Sequence, residues 1–184
     1  MKNKLLLIIL SLSFVGCIPR KKLIHGLTCE YYSLATDKNR VIFGTENFKE
    51  IPLDSSFYTI NGNVLLEDIK ENEKSLVYLW DPRCGGEYCY SLKWIEEYSS
   101  NKGIKFYAIP IFIDIDMMDI HQGITTPITP IDFKFYKSIF CSRYIKKFLN
   151  DVVNKENEVL FQNKGRYFWI EKDSLIDRTI GIQD

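Results

Sequence analysis

Residues Ser75 to Tyr90 read "SLVYLWDPRCGGEYCY". From Ser75 to Trp80 the residues form a near-continuous apolar run of strand length, the pattern of a parallel strand buried on both faces. Asp81, Pro82 and Arg83 interrupt the run, and Cys84 and Cys89 then enclose Gly85, Gly86, Glu87 and Tyr88. Next, "SLKWIEEYSSNKG" places Leu92, Ile95 and Tyr98 at helical spacing, with Gly103 as the stop. "IKFYAIPIFI" follows as a second buried strand that carries Pro110 near its end. Strand, helix and strand in so short a stretch make a βαβ unit, which predicts an α/β sheet.

Upstream, "CEYYSL", "RVIFG" and "SFYTI" are short β-type runs divided by polar turns. In "TINGNVLLEDI" the pair Asn61-Gly62 is a tight-hairpin signal. Leu65, Leu66 and Ile69 then predict a short helix ending in the charged "KENEKS". Downstream, "HQGITTPITPID" is turn-rich. From Phe133 to Val153 the pattern is helical: Tyr136, Phe140, Tyr144 and Phe148 recur every fourth residue beside Cys141, Ile145, Leu149 and Val152. The segment "GRYFWIEKDSLIDRTIGI" predicts a terminal hairpin, with strands over Tyr167 to Glu171 and Ser174 to Ile180.

The amino terminus, "MKNKLLLIILSLSFVGC", has a basic start, an apolar run from Leu5 to Val15, and Gly16 before Cys17. That is the layout of an export signal, and the run falls short of the ~20 residues of a membrane span. A cysteine after a small residue resembles the lipobox of bacterial lipoproteins, with Phe14 in place of the usual Leu. The resemblance implies removal of residues 1–16, lipid on Cys17, and a short basic tether over 17–28. The remaining 168 residues suffice for one domain. They carry 22 Lys plus Arg against 24 Asp plus Glu, a balance that gives no argument for nucleic acid binding.

The order of parts resembles the thioredoxin superfamily, specifically its extracytoplasmic bacterial branch. The likeness rests on "TINGNVLLEDIKENEKSLVYLWDPRC", in which strand, Trp80 and Cys84 follow one another, and on "YFWIEKDSLIDRTI" as the last two strands. It covers roughly Phe57 to Ile182, with Gly123 to Lys164 matching by element type alone. It implies a thioredoxin-like α/β domain over 56–184, a central mixed sheet flanked by helices, after an N-terminal β extension over 29–55. It also places the protein in the bacterial cell envelope, facing the periplasm or extracytoplasmic space, with protein thiols or disulfides as partners and the membrane reached through the lipid anchor. Cys84 takes the family's nucleophile position at a helix N-terminus, where unsatisfied N–H groups and the dipole favour thiolate. Trp80, Pro82, Arg83, Gly85, Gly86 and Glu87 would support it, Arg83 adding positive charge and Asp81 and Glu87 opposing it.

The chain departs from the family in three ways. Glu87 stands where the second, resolving cysteine belongs. Cys89 lies five residues after Cys84, which in a helix separates the Cα atoms by ~9 Å, beyond the ~7 Å limit for a disulfide. The two can pair only if Gly85 and Gly86 hold an irregular loop and the helix begins later. Finally, Gly165 or Arg166 occupies the place of the family's cis-proline. Two readings follow: thiol–disulfide exchange with Cys84 as nucleophile and Cys89 as resolving partner, or a non-enzymatic scaffold that binds a protein or peptide, its cysteines structural or residual.

Other candidates carry less. Cys141 lies on an apolar helix face, as a buried thiol does, and Cys29 could staple the extension to the core. Copper delivery in this fold needs cysteines four apart and a downstream His; the spacing is five, and His25 and His121 lie in the tether and a polar turn. In "DIDMMD", Asp114, Asp116 and Asp119 lack the Gly and Glu of a calcium loop and read as helix capping. No cofactor or metal is implied.

Overall fold

The computed structural model describes residues 37–85, 89–120, 123–153, 165–172, 174–179 and 181–182. The expected signal, Cys17, the tether, "CEYYSL" with Cys29, both histidines, Gly86 and Glu87 lie outside the described residues. The chain is an α/β structure built on a mixed four-stranded sheet with helices.

Strand β3 (Lys74–Trp80) is the sheet's organiser. It pairs in parallel with β4 (Lys105–Pro110) and antiparallel with β5 (Tyr167–Glu171), and β6 (Ser174–Thr179) completes the order β4-β3-β5-β6. Side chains alternate across a strand. Val77 and Leu79 therefore enter one core, against helices α1 (Gly62–Lys70) and α4 (Cys141–Val152). Leu76, Tyr78 and Trp80 enter the other, against α2 (Leu92–Asn101) and α3 (Ile115–Ile120). Both faces are covered, which is why the run is apolar without a gap; each such side chain contributes about 1.5–3 kcal/mol on burial. Pro110 is tolerated because it closes β4, an edge strand, where a missing donor does not break the interior ladder.

The extension contributes β1 (Val41–Ile42), which pairs in parallel with β2 (Phe57–Tyr58), at the start of the 56–184 segment, as a separate two-stranded sheet. Among its described attachments is a bidentate ion pair, Arg40 Nη1 and Nη2 each 2.7 Å from the Asp119 carboxylate on α3.

Two predicted elements are corrected. Asn61-Gly62 makes no hairpin: Asn61 is the N-cap of α1, its side chain accepting from the N–H groups of Asn63 (3.0 Å) and Val64 (3.1 Å). Glycine is needed at 62 because a Cβ there would lie 2.5 Å from the Phe148 carbonyl oxygen and 2.6 Å from Asp151 Cβ. The long helix predicted from Phe133 begins only at Cys141. Asp132 starts a turn by accepting from Phe135 N–H (2.9 Å), and Lys137, at φ 50°, turns the chain out of helical conformation. The helix over 92–101 stops as predicted, with Gly103 at φ 66° and the Ile104 N–H bonded back to the Ser99 carbonyl at 2.9 Å.

Candidate functional site

At the carboxyl end of β3 the chain makes a tight turn. The Cys84 N–H donates to the Asp81 carbonyl at 3.0 Å, and the Asp81 side chain accepts from the Arg83 N–H at 3.0 Å. Aspartate first and proline second is the composition such a turn selects: the carboxylate caps the next amides and the ring presets φ. Pro82 is buried, and Trp80 anchors the strand end at 4 % exposure. Cys84 therefore sits at the close of a turn. It does not start a helix.

The helix begins late. Ser91 is the N-cap of α2, its hydroxyl accepting from the Trp94 N–H at 3.2 Å, and Leu92 is the first helical residue. The expectation that a helix N-terminus and its dipole meet Cys84 is thus overturned, since the effect fades within the first turn. The same delay removes the geometric obstacle to pairing. Cys84 and Cys89 are joined in a disulfide with Cα atoms 5.9 Å apart, inside the usual range. Both cysteines are half-buried. Gly85 is exposed, has room for a Cβ, and does not adopt a positive φ, so the bend does not depend on glycine at that position. Cys141, half-buried at the start of α4, takes no part in this bond.

Two arginines lie at the turn over 81–84, and they are held differently. Arg83 Nε lies 2.5 Å from Asp114 Oδ2, and the Asp114 side chain is 6 % exposed. Its positive charge is directed at that carboxylate, a partner the sequence did not reveal. Asp114 also accepts from the Met117 N–H at 3.3 Å, in keeping with the capping role read from "DIDMMD". Arg166, one of the two residues read at the place of the expected proline, lies across the turn with Nη2 3.7 Å from Asp81 Oδ2. Its backbone is used by the sheet: the N–H donates to the Thr179 carbonyl and the C=O accepts from the Leu79 N–H, both at 2.9 Å.

Beside the disulfide runs a column of aromatic rings. Tyr167 stacks on buried Tyr78 at 4.3 Å and lies 6.3 Å from Tyr90. Tyr90 stacks on Trp94 at 4.8 Å, Trp94 on Tyr98 at 5.5 Å, and Lys102 Nζ lies 4.3 Å from the Tyr98 ring centre. The four-residue steps 90, 94, 98 and 102 were visible in the sequence, but only Tyr98 among them was read there, with Leu92 and Ile95 on the apolar face.

Elsewhere, a cavity of about 170 Å³ separates residues 51–58 from 123–128, lined in part by Leu53, Phe57, Tyr58 and Ile124. None of the site residues above borders it. Among the described residues no group of three His, Cys, Asp or Glu side chains could hold a metal ion, and no helix is long and apolar enough to cross a membrane. No family model, curated protein or solved structure matches the chain.

Proposed function

We propose that this chain is a thioredoxin-like, lipid-anchored protein of the bacterial envelope whose Cys84–Cys89 pair exchanges disulfides with protein thiols. The observation that carries the reading is the disulfide itself, half-buried at the carboxyl end of an internal strand. Crevices at such strand ends are where α/β sheets place their chemistry. The sheet order β4-β3-β5-β6, parallel on one side of β3 and antiparallel on the other, supports the thioredoxin-like assignment.

In the oxidised form, a substrate thiolate attacks the Cys84 sulfur. The Cys84–Cys89 bond breaks, a mixed disulfide forms, and Cys89 leaves as thiolate and takes up a proton. A second substrate thiolate then attacks the substrate sulfur of the mixed disulfide and releases Cys84. Two electrons and two protons pass to the protein, and the substrate gains a disulfide; the reverse sequence reduces one. A local five-residue loop suits such cycling because opening it disturbs little else.

The test is thiol mapping by mass spectrometry across graded glutathione buffers, with reduction of a model protein disulfide as the activity. A reversible Cys84–Cys89 couple, with activity lost in Cys84→Ser, supports exchange. A bond that resists mild reductant, with no activity above background, overturns it. The second reading, a binding scaffold with a structural disulfide, draws support from the late start of α2, which leaves Cys84 without the helix N-terminus that would acidify it.

A further inference from the structure

We infer that Arg166 selects substrates carrying a carboxylate beside the reacting sulfur. The inference rests on the exchange reading of Cys84–Cys89.

Arg166 lies against the turn that carries Cys84: its guanidinium faces Asp81, whose carbonyl holds the Cys84 N–H. Because its main-chain N–H and C=O are both spent in the sheet, a substrate crossing this position is met by the side chain.

That side chain is under-satisfied. Guanidinium offers five N–H donors in a fixed fork suited to a carboxylate. Its acidic neighbour Asp81 stands at 3.7 Å, close enough for charge attraction and too far for a hydrogen bond. Among the described residues Nη1 is buried without any acceptor, while the side chain as a whole is 38 % exposed. Arg83, by contrast, has a buried carboxylate at 2.5 Å. A charged donor without a partner is unusual in a folded protein and calls for an explanation. A substrate carboxylate arriving at the turn meets the exposed part of the guanidinium, and a small shift away from Asp81 brings the fork onto it. Arginine suits this role better than lysine, whose point charge lacks the fork.

The carboxylate could belong to a small disulfide or to an acidic residue of a peptide, and the test separates the two. Reduced full-length protein is assayed on oxidised glutathione against uncharged hydroxyethyl disulfide. In parallel it is assayed on a disulfide peptide flanked by Glu against the same peptide flanked by Gln. In the wild type, kcat/KM favours the acidic member of at least one pair by about tenfold, the size expected of a charge-assisted hydrogen bond. The pair that shows the preference identifies the source. In Arg166→Gln that ratio falls to near one, through KM more than kcat, while Arg166→Lys keeps a reduced preference. Asp81→Asn retains the oxygen that accepts from the Arg83 N–H but removes the competing charge, so it raises the ratio. This variant keeps the inference testable should Arg166→Gln fail to fold. An equal ratio in wild type and Arg166→Gln, or an unchanged ratio in Asp81→Asn, overturns the role of Arg166 and leaves exchange standing. No turnover of any disulfide overturns exchange and this inference with it.

Discussion

The tyrosine hydroxyls buried on the α1–α4 side of the sheet and the Arg166 guanidinium at the carboxyl end of β3 are partnered in opposite ways. On the helix side the Tyr107 hydroxyl donates to Asp68 at 2.7 Å and accepts from the Asn72 side chain at 3.1 Å. The Tyr136 hydroxyl accepts from the Gly62 N–H at 2.8 Å and donates to Asp151 at 2.7 Å. At the disulfide end, Arg166 buries a donor with no acceptor and holds its carboxylate at 3.7 Å. An unmet buried polar group costs about 1–3 kcal/mol, more when charged. The paired tyrosines fasten the helix side, whereas the guanidinium at the disulfide end keeps a buried donor unpaired among the described residues.

The comparison breaks first at Gly62. Gly62→Ala drives a methyl group into the Phe148 carbonyl and Asp151, so α1 must shift. The expected loss is about 3 kcal/mol by urea denaturation, and a near-neutral result would mean that the α1–α4 seam is not tightly fixed. Tyr107→Phe leaves buried Asp68 without its donor and should cost about 2 kcal/mol in the same measurement. Opening the disulfide with Cys84→Ala and Cys89→Ala together frees only a short loop, worth about 2 kcal/mol by chain entropy. A far larger loss would make the bond structural and weaken the exchange reading.

Titration sharpens the same contrast. Burial raises the hydroxyl pKa of both Tyr107 and Tyr136 well above the ordinary value near 10. Because the folded-state values are the higher ones, their contribution is complete below about pH 10 and is lost as the pH rises toward them. Stability measured from pH 8 to 11 should fall only above about pH 10, and Tyr107→Phe should flatten the fall.

The smallest effect belongs to Glu96. Burial raises its pKa, but hydrogen bonds from Thr126 and Thr125 outweigh that and hold it below its ordinary value. Its contribution is present above about pH 4.3 and fades as the pH drops through the lower folded value. Glu96→Gln at pH 7 should cost less than about 1 kcal/mol, since the group is partly solvated; a larger cost would show that the 123–128 loop depends on this clamp.

How much of this was legible in the sequence depended on range. Buried strands declared themselves through "SLVYLW" and "IKFYAI", and the terminal hairpin through its apolar spacing. Local exceptions misled: Asn61-Gly62 has hairpin chemistry but lies at a helix start, because α4 passes too close for any side chain at 62. The pattern from Phe133 is helical in spacing, yet Asp132 and Lys137 turn that stretch before α4 begins. The two cysteines were legible as a pair of interest. Their bonding was not, because it depends on α2 starting at Leu92, a choice made by Ser91. The contacts Arg83–Asp114 and Arg166–Asp81 join residues far apart in the chain, and nothing in local composition marks them.

Strand β3 also fixes an order of events during synthesis. Leu76 finds one neighbour in Phe106 and the other in Trp169, near the end of the chain. Until residues 167–171 emerge, the most apolar strand of the molecule carries an open edge, the kind of surface that aggregates. The cysteine loop, being local, can close long before that edge is covered. Covering that edge waits on the distant β5–β6 hairpin, and the rate at which it docks should limit the yield of folded protein.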